Sequence, residues 1–235
     1  MAAFMRRVKT GFSRFLDRPA TVDISRYEEL LTSIEWREKK VDELSDEELA
    51  EAAGELRRAA DEPGFGDKEL VELCALGREA AVRALDERPY DVQLLGTMQL
   101  LNGHVVQMAT GEGKTLAGAL AAAGYALQGH AVHVMSVNDY LAQRDAEWMG
   151  PVYESLGLSV GVLQQQMGEQ DRSRAYRSDI TYGTASEFGF DFLRDRLKVA
   201  GTRGQEAPFW DAWLKAGGRV LALGLDEGEA LYQRP

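Results

Sequence analysis

The chain is 235 residues long, 45% hydrophobic and 28% charged, with 6 prolines, a composition that excludes disordered and collagen-like classes and leaves room for a full hydrophobic core. Its formal net charge of −11 argues against nonspecific nucleic-acid binding, which needs a surplus of Lys and Arg on one face. No apolar run approaches the roughly 20 residues that span a bilayer, and the single Cys74 cannot form an internal disulfide.

The opening segment MAAFMRRVKTGFSRFLDRP sets Phe4, Met5, Val8, Phe12, Phe15 and Leu16 at helical spacing among Arg6, Arg7, Lys9 and Arg14. This predicts a basic amphipathic helix over 1–20, weakened at Gly11 by about 1 kcal/mol relative to alanine. Such a helix either lies in an anionic membrane surface or docks on its own protein. At Ser45-Asp46-Glu47-Glu48 the serine oxygen can accept the amide of Glu48 while that glutamate's carboxylate returns to the amide of Ser45. A helix is expected from there to about Ala60, ended by Pro63-Gly64-Phe65-Gly66. A second helix over 68–85 carries Leu70, Leu73, Leu76, Ala80 and Ala81 on one side, with Cys74 as a small apolar packing residue. Residues 21–87 thus read as a helical lead-in.

From His104 onward short apolar runs (HVVQM, AVHVMSV, LSVGVLQ, DITYGT) alternate with helical stretches, among them 139–156 and 186–197. Alternation of this kind predicts β-α-β units, hence a parallel sheet with helices on both faces and any ligand at the strand C-terminal ends. No internal repeat or low-complexity tract interrupts the pattern.

Between the expected strand at 104–108 and a helix beginning near Lys114 lies Gly111-Glu112-Gly113-Lys114-Thr115. Glycines allow successive amides to point at phosphate oxygens, and a helix N-terminus adds a positive dipole. In a phosphate-binding loop Lys114 holds the β- and γ-phosphates and the Thr115 hydroxyl binds Mg²⁺. The strict consensus has glycine where Met108 stands, a departure that helicase-type motors tolerate. The fold class expected is therefore a P-loop, RecA-like α/β domain behind a helical N-terminal segment.

Four blocks extend the signal past the loop: RPYDVQLLG from Arg88, MATGEGKT from Met108, VNDYLAQRDAEW from Val137 and DITYGTASEFGFDFLRD from Asp179. Together and in this order they resemble the first nucleotide-binding domain of SecA, the bacterial export ATPase, over residues 20–197. MATGEGKTLAGALAAAGYAL is most similar to the accessory SecA of actinobacteria, since major members usually carry lysine at the position of Ala109. The resemblance implies ATP and Mg²⁺ as cofactors, held by Thr110, Gly111, Glu112, Gly113, Lys114, Thr115 and Leu116. It also implies that Gln93 reads the adenine edge and that Tyr90 lies beside the ring, where an amide supplies paired donor and acceptor and an aromatic face supplies stacking. Tyr90 reads alternatively as a core aromatic, and at Glu87 the family more often has an apolar residue. Arg144 matches an arginine near the nucleotide; its other reading is a solvated helix face paired with Asp145 or Glu147. Thr184, Glu187 and Asp191 are the polar members of a segment that resembles one coupling sheet movement to a substrate channel, with Ser186 a candidate helix cap.

After Leu197 the resemblance fails. The family reaches a strand ending in Asp-Glu-x-Asp; here residues 198–235 form a divergent tail whose acidic motif, Asp226-Glu227-Gly228-Glu229 after Val220–Leu225, stands farther from Arg194 than the family pattern has it. Asp226 as a water-mediated Mg²⁺ ligand and Glu227 as the catalytic carboxylate that orients the attacking water compete with a plain solvated acidic tail, which Gly224 in the expected strand favours. Domain divisions are expected at 1–20, 21–87, 88–197 and 198–235. The second motor domain with its arginine finger is expected to be absent, so the chain alone should bind nucleotide weakly and barely hydrolyse it. Implied partners are a SecYEG-type translocon, preproteins, an anionic membrane surface through residues 1–20, and a second copy of the chain. The implied location is cytoplasmic, peripheral to the inner membrane face. The other readings are a superfamily-2 nucleic-acid helicase, which requires a basic groove, and a noncatalytic module docking on membrane or translocon. The histidines lack zinc-ligand spacing.

Overall fold

A computed structural model describes residues 25–59 and 65–202. The expected amphipathic helix over 1–20 and the tail containing Asp226 and Glu227 lie outside the described residues. Four helices come first: α1 (Ser25–Val41), α2 (Asp46–Ala59), α3 (Asp67–Leu85) and α4 (Asp91–Leu101). They are followed by α5 (Lys114–Leu127), β1 (Val132–Ser136), α6 (Asp139–Ser155), β2 (Val160–Val162), α7 (Glu169–Tyr176), β3 (Ile180–Thr184) and α8 (Ala185–Thr202).

Local chemistry sets several of these boundaries. At α2 the reciprocal cap forms as the sequence predicts: the Glu48 amide donates to Ser45 Oγ at 3.2 Å and the Ser45 amide to Glu48 Oε2 at 2.8 Å. Asn138 caps α6 by accepting the Leu141 amide on Oδ1 at 2.8 Å. The cap of α8 differs from expectation, because Thr184 Oγ1, and not Ser186, takes up a first-turn amide, that of Glu187 at 3.3 Å. Thr184 ends β3, so its extended backbone suits the N-cap conformation, whereas Ser186 already lies inside the helix.

Described strands form one parallel sheet in the order β1-β3-β2, with Val132 opposite Ile180 and Val160 opposite the same residue. Side chains alternate along β3, and the two faces are covered by different helices. On one face Tyr182 meets Tyr153 of α6, their buried hydroxyls 2.7 Å apart. On the other, Thr181 donates its hydroxyl to the Ala175 carbonyl of α7, and Gly183 lies under the ring of Phe188 from α8. A Cβ at Gly183 would stand 3.1 Å from that ring, which is why this central strand carries no side chain there.

The lead-in helices share the core of the α6 face. Ile34, Leu49, Leu73, Leu76 and Leu94 pack in one buried cluster with Leu120, Met149, Ile180 and Tyr182. Arg57 of α2 reaches Asp179 at the foot of β3 (3.3 Å), whose other carboxylate oxygen takes the amide and hydroxyl of Ser159. Cys74 is buried in this cluster, as its neighbours imply, and burial pushes its thiol up to about 12.

One predicted strand is absent. Residues 104–109 run without regular structure, and Val105 is fully exposed. A strand exists only through its ladder of hydrogen bonds, and none of the three described strands pairs with this segment. Instead Val106 and Met108 pack beside Gly96 of α4, where a Cβ would stand 3.7 and 3.4 Å from them.

The His133 ring stacks on Phe188 with centroids 4.6 Å apart and meets Tyr176 edge-on at 5.6 Å. Burial holds its pKa below the usual histidine value. Below about pH 6.5 the unfolded chain therefore binds the proton more readily, so stability falls as pH drops from there towards the folded pKa and is unaffected above it. Urea midpoints measured from about pH 7.5 to about pH 5.5 should fall more steeply for the wild type than for His133→Gln.

Candidate nucleotide site

Helix α5 begins at Lys114 because Gly113, its N-cap, adopts a left-handed backbone (φ 74°), and Gly111 does likewise (φ 90°). Such values disfavour any side chain, so two glycines in three residues reverse the chain abruptly into the helix. The first α-helical bond runs from the Ala117 amide to the Gly113 carbonyl, 3.2 Å. By helix geometry the amides of Lys114, Thr115 and Leu116 have no partner within the helix and lie at its positive end.

Lys114 folds back over the loop. Its Nζ donates to the carbonyls of Met108 (2.9 Å) and Ala109 (2.7 Å), so an exposed ammonium is parked above the turn. Glu112 closes the same turn from the side, with Oε2 accepting the Ala109 amide at 2.7 Å. Thr110 is exposed in the turn, Thr115 is half-buried and Leu116 is buried beneath the first turn of α5.

Gln93 brings a second element to the loop. Buried on the first turn of α4, it accepts the Tyr90 amide on Oε1 (2.7 Å) and points Nε2 at the carbonyls of Glu112 (3.2 Å) and Gly113 (3.4 Å). One turn further on, Thr97 shares its hydroxyl between the Gln93 carbonyl and the Ala117 carbonyl, each at 3.0 Å, and so locks α4 to α5. Tyr90 is 72% exposed, which removes the core-aromatic alternative. The entry to α4 is itself held by Arg78, whose fully buried guanidinium donates to the Pro89 carbonyl (2.9 Å) and pairs with Asp91 (2.5 Å) and Glu38 (3.3 Å).

Tyr90, Gln93, Glu112, Gly113 and Lys114 are thus brought together. Arg144, on the first turns of α6, is instead half-exposed and paired with Asp145 at 2.6 Å, the solvated-face arrangement. Sequence reasoning missed Thr97 and Arg78, whose partners are backbone carbonyls and carboxylates that carry no motif. It also missed Arg172 of α7, which pairs in the interior with Glu187 (2.5 Å) and Asp191 (2.8 Å) of α8. Tyr176 donates to the same Asp191 at 2.9 Å, and Arg194 pairs with it as well. Two of the three polar residues singled out in the last motif therefore act in a buried clamp between α7 and α8. Among the described residues no group of three or more His, Cys, Asp or Glu could hold a metal ion.

A glycine-turned loop with a lysine folded over it, opening a helix beside a parallel sheet covered on both faces, defines a domain of the P-loop, RecA-like class. Within that class the chain belongs to the SecA DEAD-like domain family, whose model matches residues 12–212. It is 57% identical over 187 residues to protein translocase subunit SecA 2 of Thermobifida fusca, covering 80% of this chain and 24% of that protein. To protein translocase subunit SecA of Mycobacterium avium it is 47% identical over 191 residues, 81% of this chain and 24% of the relative. To SecA 2 of Mycobacterium tuberculosis it is 47% identical over 196 residues, 81% and 23% respectively. The chain spans about a quarter of the length of these relatives.

The glycines supply a test of the loop geometry. A Cβ at Gly113 would lie 1.9 Å from Gln93 Nε2, whereas one at Gly111 would meet nothing within 4 Å. Gly111→Ala should therefore cost only backbone strain, about 1 kcal/mol, and Gly113→Ala about 2 kcal/mol or more because the buried amide must also leave its carbonyls. Equal costs in urea denaturation would mean that the Gln93 contact contributes nothing.

Proposed function

We propose that this chain binds MgATP at residues 108–116 and serves as the nucleotide-binding part of a SecA-type motor that drives preproteins across the cytoplasmic membrane. The observation that carries the reading is the Lys114 ammonium held over a turn with left-handed glycines, at the head of a helix whose first amides are uncommitted. A polyanion fits there, because backbone amides, helix dipole and ammonium all favour negative charge at one point.

In this reading Lys114 shifts from the loop carbonyls to the β- and γ-phosphates, and Thr115 turns its hydroxyl to Mg²⁺, which supplies charge neutralisation when bound. Thr110, Gly111, Gly113 and Leu116 contribute backbone amides, and the Glu112 amide joins them by leaving the Ala109 carbonyl. Gln93 and Tyr90 take the adenine. With Nε2 already aimed at two loop carbonyls, reading the base competes with holding the loop, so Gln93 is placed to report base occupancy to the phosphate end. Arg144 joins the site only by leaving Asp145. Asp226 and Glu227 are the candidates for water-mediated Mg²⁺ binding and for orienting the attacking water.

Coupled hydrolysis and preprotein movement we assign to a full-length motor with a second domain closing the cleft, working with a SecYEG-type translocon. We place the protein in the cytoplasm at the inner membrane face, in keeping with the family and with the lack of any membrane-crossing helix among the described residues. The basic apolar segment 1–20 is the part we assign to anionic lipid. The net charge of −11 disfavours the helicase alternative.

Fluorescent-ATP titration should give Mg²⁺-dependent binding that Lys114→Ala weakens at least about tenfold. Binding undiminished by that change would remove the proposed site. On vesicles containing anionic lipid the chain should float, and deletion of residues 1–17 should abolish flotation; retained flotation would take the N-terminal segment out of the assignment.

A further inference from the structure

Glu112 sits badly with the site as so far described. A carboxylate in the middle of a loop built for a triphosphate carries the charge of its ligand, and its exposure to solvent, which screens the repulsion, does not explain why it stands there. Its position is accounted for by what it holds. Oε2 accepts the Ala109 amide at 2.7 Å, while the Glu112 amide donates back to the Ala109 carbonyl at 3.3 Å. That carbonyl is also the one to which Lys114 Nζ donates at 2.7 Å. Both polar backbone groups of Ala109 are thus engaged, the N–H by Glu112 and the C=O by Glu112 and Lys114.

We propose that Glu112 is a positioning residue, whose carboxylate braces the backbone of Ala109 and so presets the phosphate loop for the triphosphate. This deepens the ATP reading and rests on it. Carboxylate to amide is a charge-assisted hydrogen bond, stronger than a neutral one, and it lies just ahead of the α5 N-terminus, where the helix dipole favours negative charge. The loop between Met108 and Gly113 contains one left-handed glycine with open space around it, at Gly111, so without a tether its turn has many alternatives to sample. Because the brace uses only the backbone of residue 109, it is indifferent to which side chain stands there.

The substitution pair Glu112→Gln and Glu112→Ala separates brace from charge, since glutamine keeps an acceptor oxygen and alanine keeps neither. Hydrogen exchange at the Ala109 amide in the full chain without nucleotide should speed up about tenfold in Glu112→Ala and stay within about threefold in Glu112→Gln. MgATP affinity should follow the same order, with alanine about tenfold weaker and glutamine close to wild type. Unchanged exchange in Glu112→Ala, or glutamine exchanging as fast as alanine, would overturn the brace. If the exchange pattern holds and wild type binds MgATP while Glu112→Ala binds it equally well, the positioning role alone fails. A chain with the exchange pattern that binds no MgATP would overturn the proposed function and the positioning role with it.

Discussion

The site depends on a close approach between two helices. Helix α4 lies against α5 so tightly that Gln93 Nε2 occupies the space a Cβ would need at Gly113. That contact requires glycine, glycine permits the left-handed turn, and the turn points the head of α5 at the loop. Thr97 repeats the constraint one turn later by bonding both helices at once. Loop, α4 and the head of α5 are therefore one mechanical unit, in which displacement of the Gln93 amide is felt at the Gly113 carbonyl.

Two buried arginines fix the starts of other elements. Arg78, itself fully buried, fixes the entry of α4, and with it Tyr90 and Gln93, by donating to the Pro89 carbonyl and pairing with Asp91 and Glu38. Arg172 joins α7 to the start of α8 through Glu187 and Asp191. Removing Asp191 or Glu187 from the Arg172 clamp leaves an uncompensated buried charge, which costs several times more than the pair itself contributes. The two clamps therefore hold element starts in register more than they add stability.

Much of this was legible locally. The Ser45 and Glu48 cap, the α3 apolar stripe around Cys74, the helix head at Lys114 and the order of strands and helices after His130 follow from short-range chemistry and periodicity. Less legible were features whose partners lie far along the chain. The strand expected at 104–108 fails because alternation of apolar residues states a capacity to pair, and pairing needs a neighbour that the three described strands do not provide. Thr184 in place of Ser186 as the α8 cap is a two-residue shift, set by where β3 ends.

The sequence by itself determined the class of fold and the identity of the loop, because Gly111, Gly113, Lys114 and Thr115 act through backbone conformation and charge at fixed spacing, which are local properties. Only the tertiary structure decided that Gln93 grips the loop, that Arg144 is paired to Asp145 and that Arg172 joins Glu187 to Asp191. Those outcomes turn on which side chain reaches a partner 15 or more residues away, or a nearer one first, and that is settled by how helices pack and not by spacing along the chain.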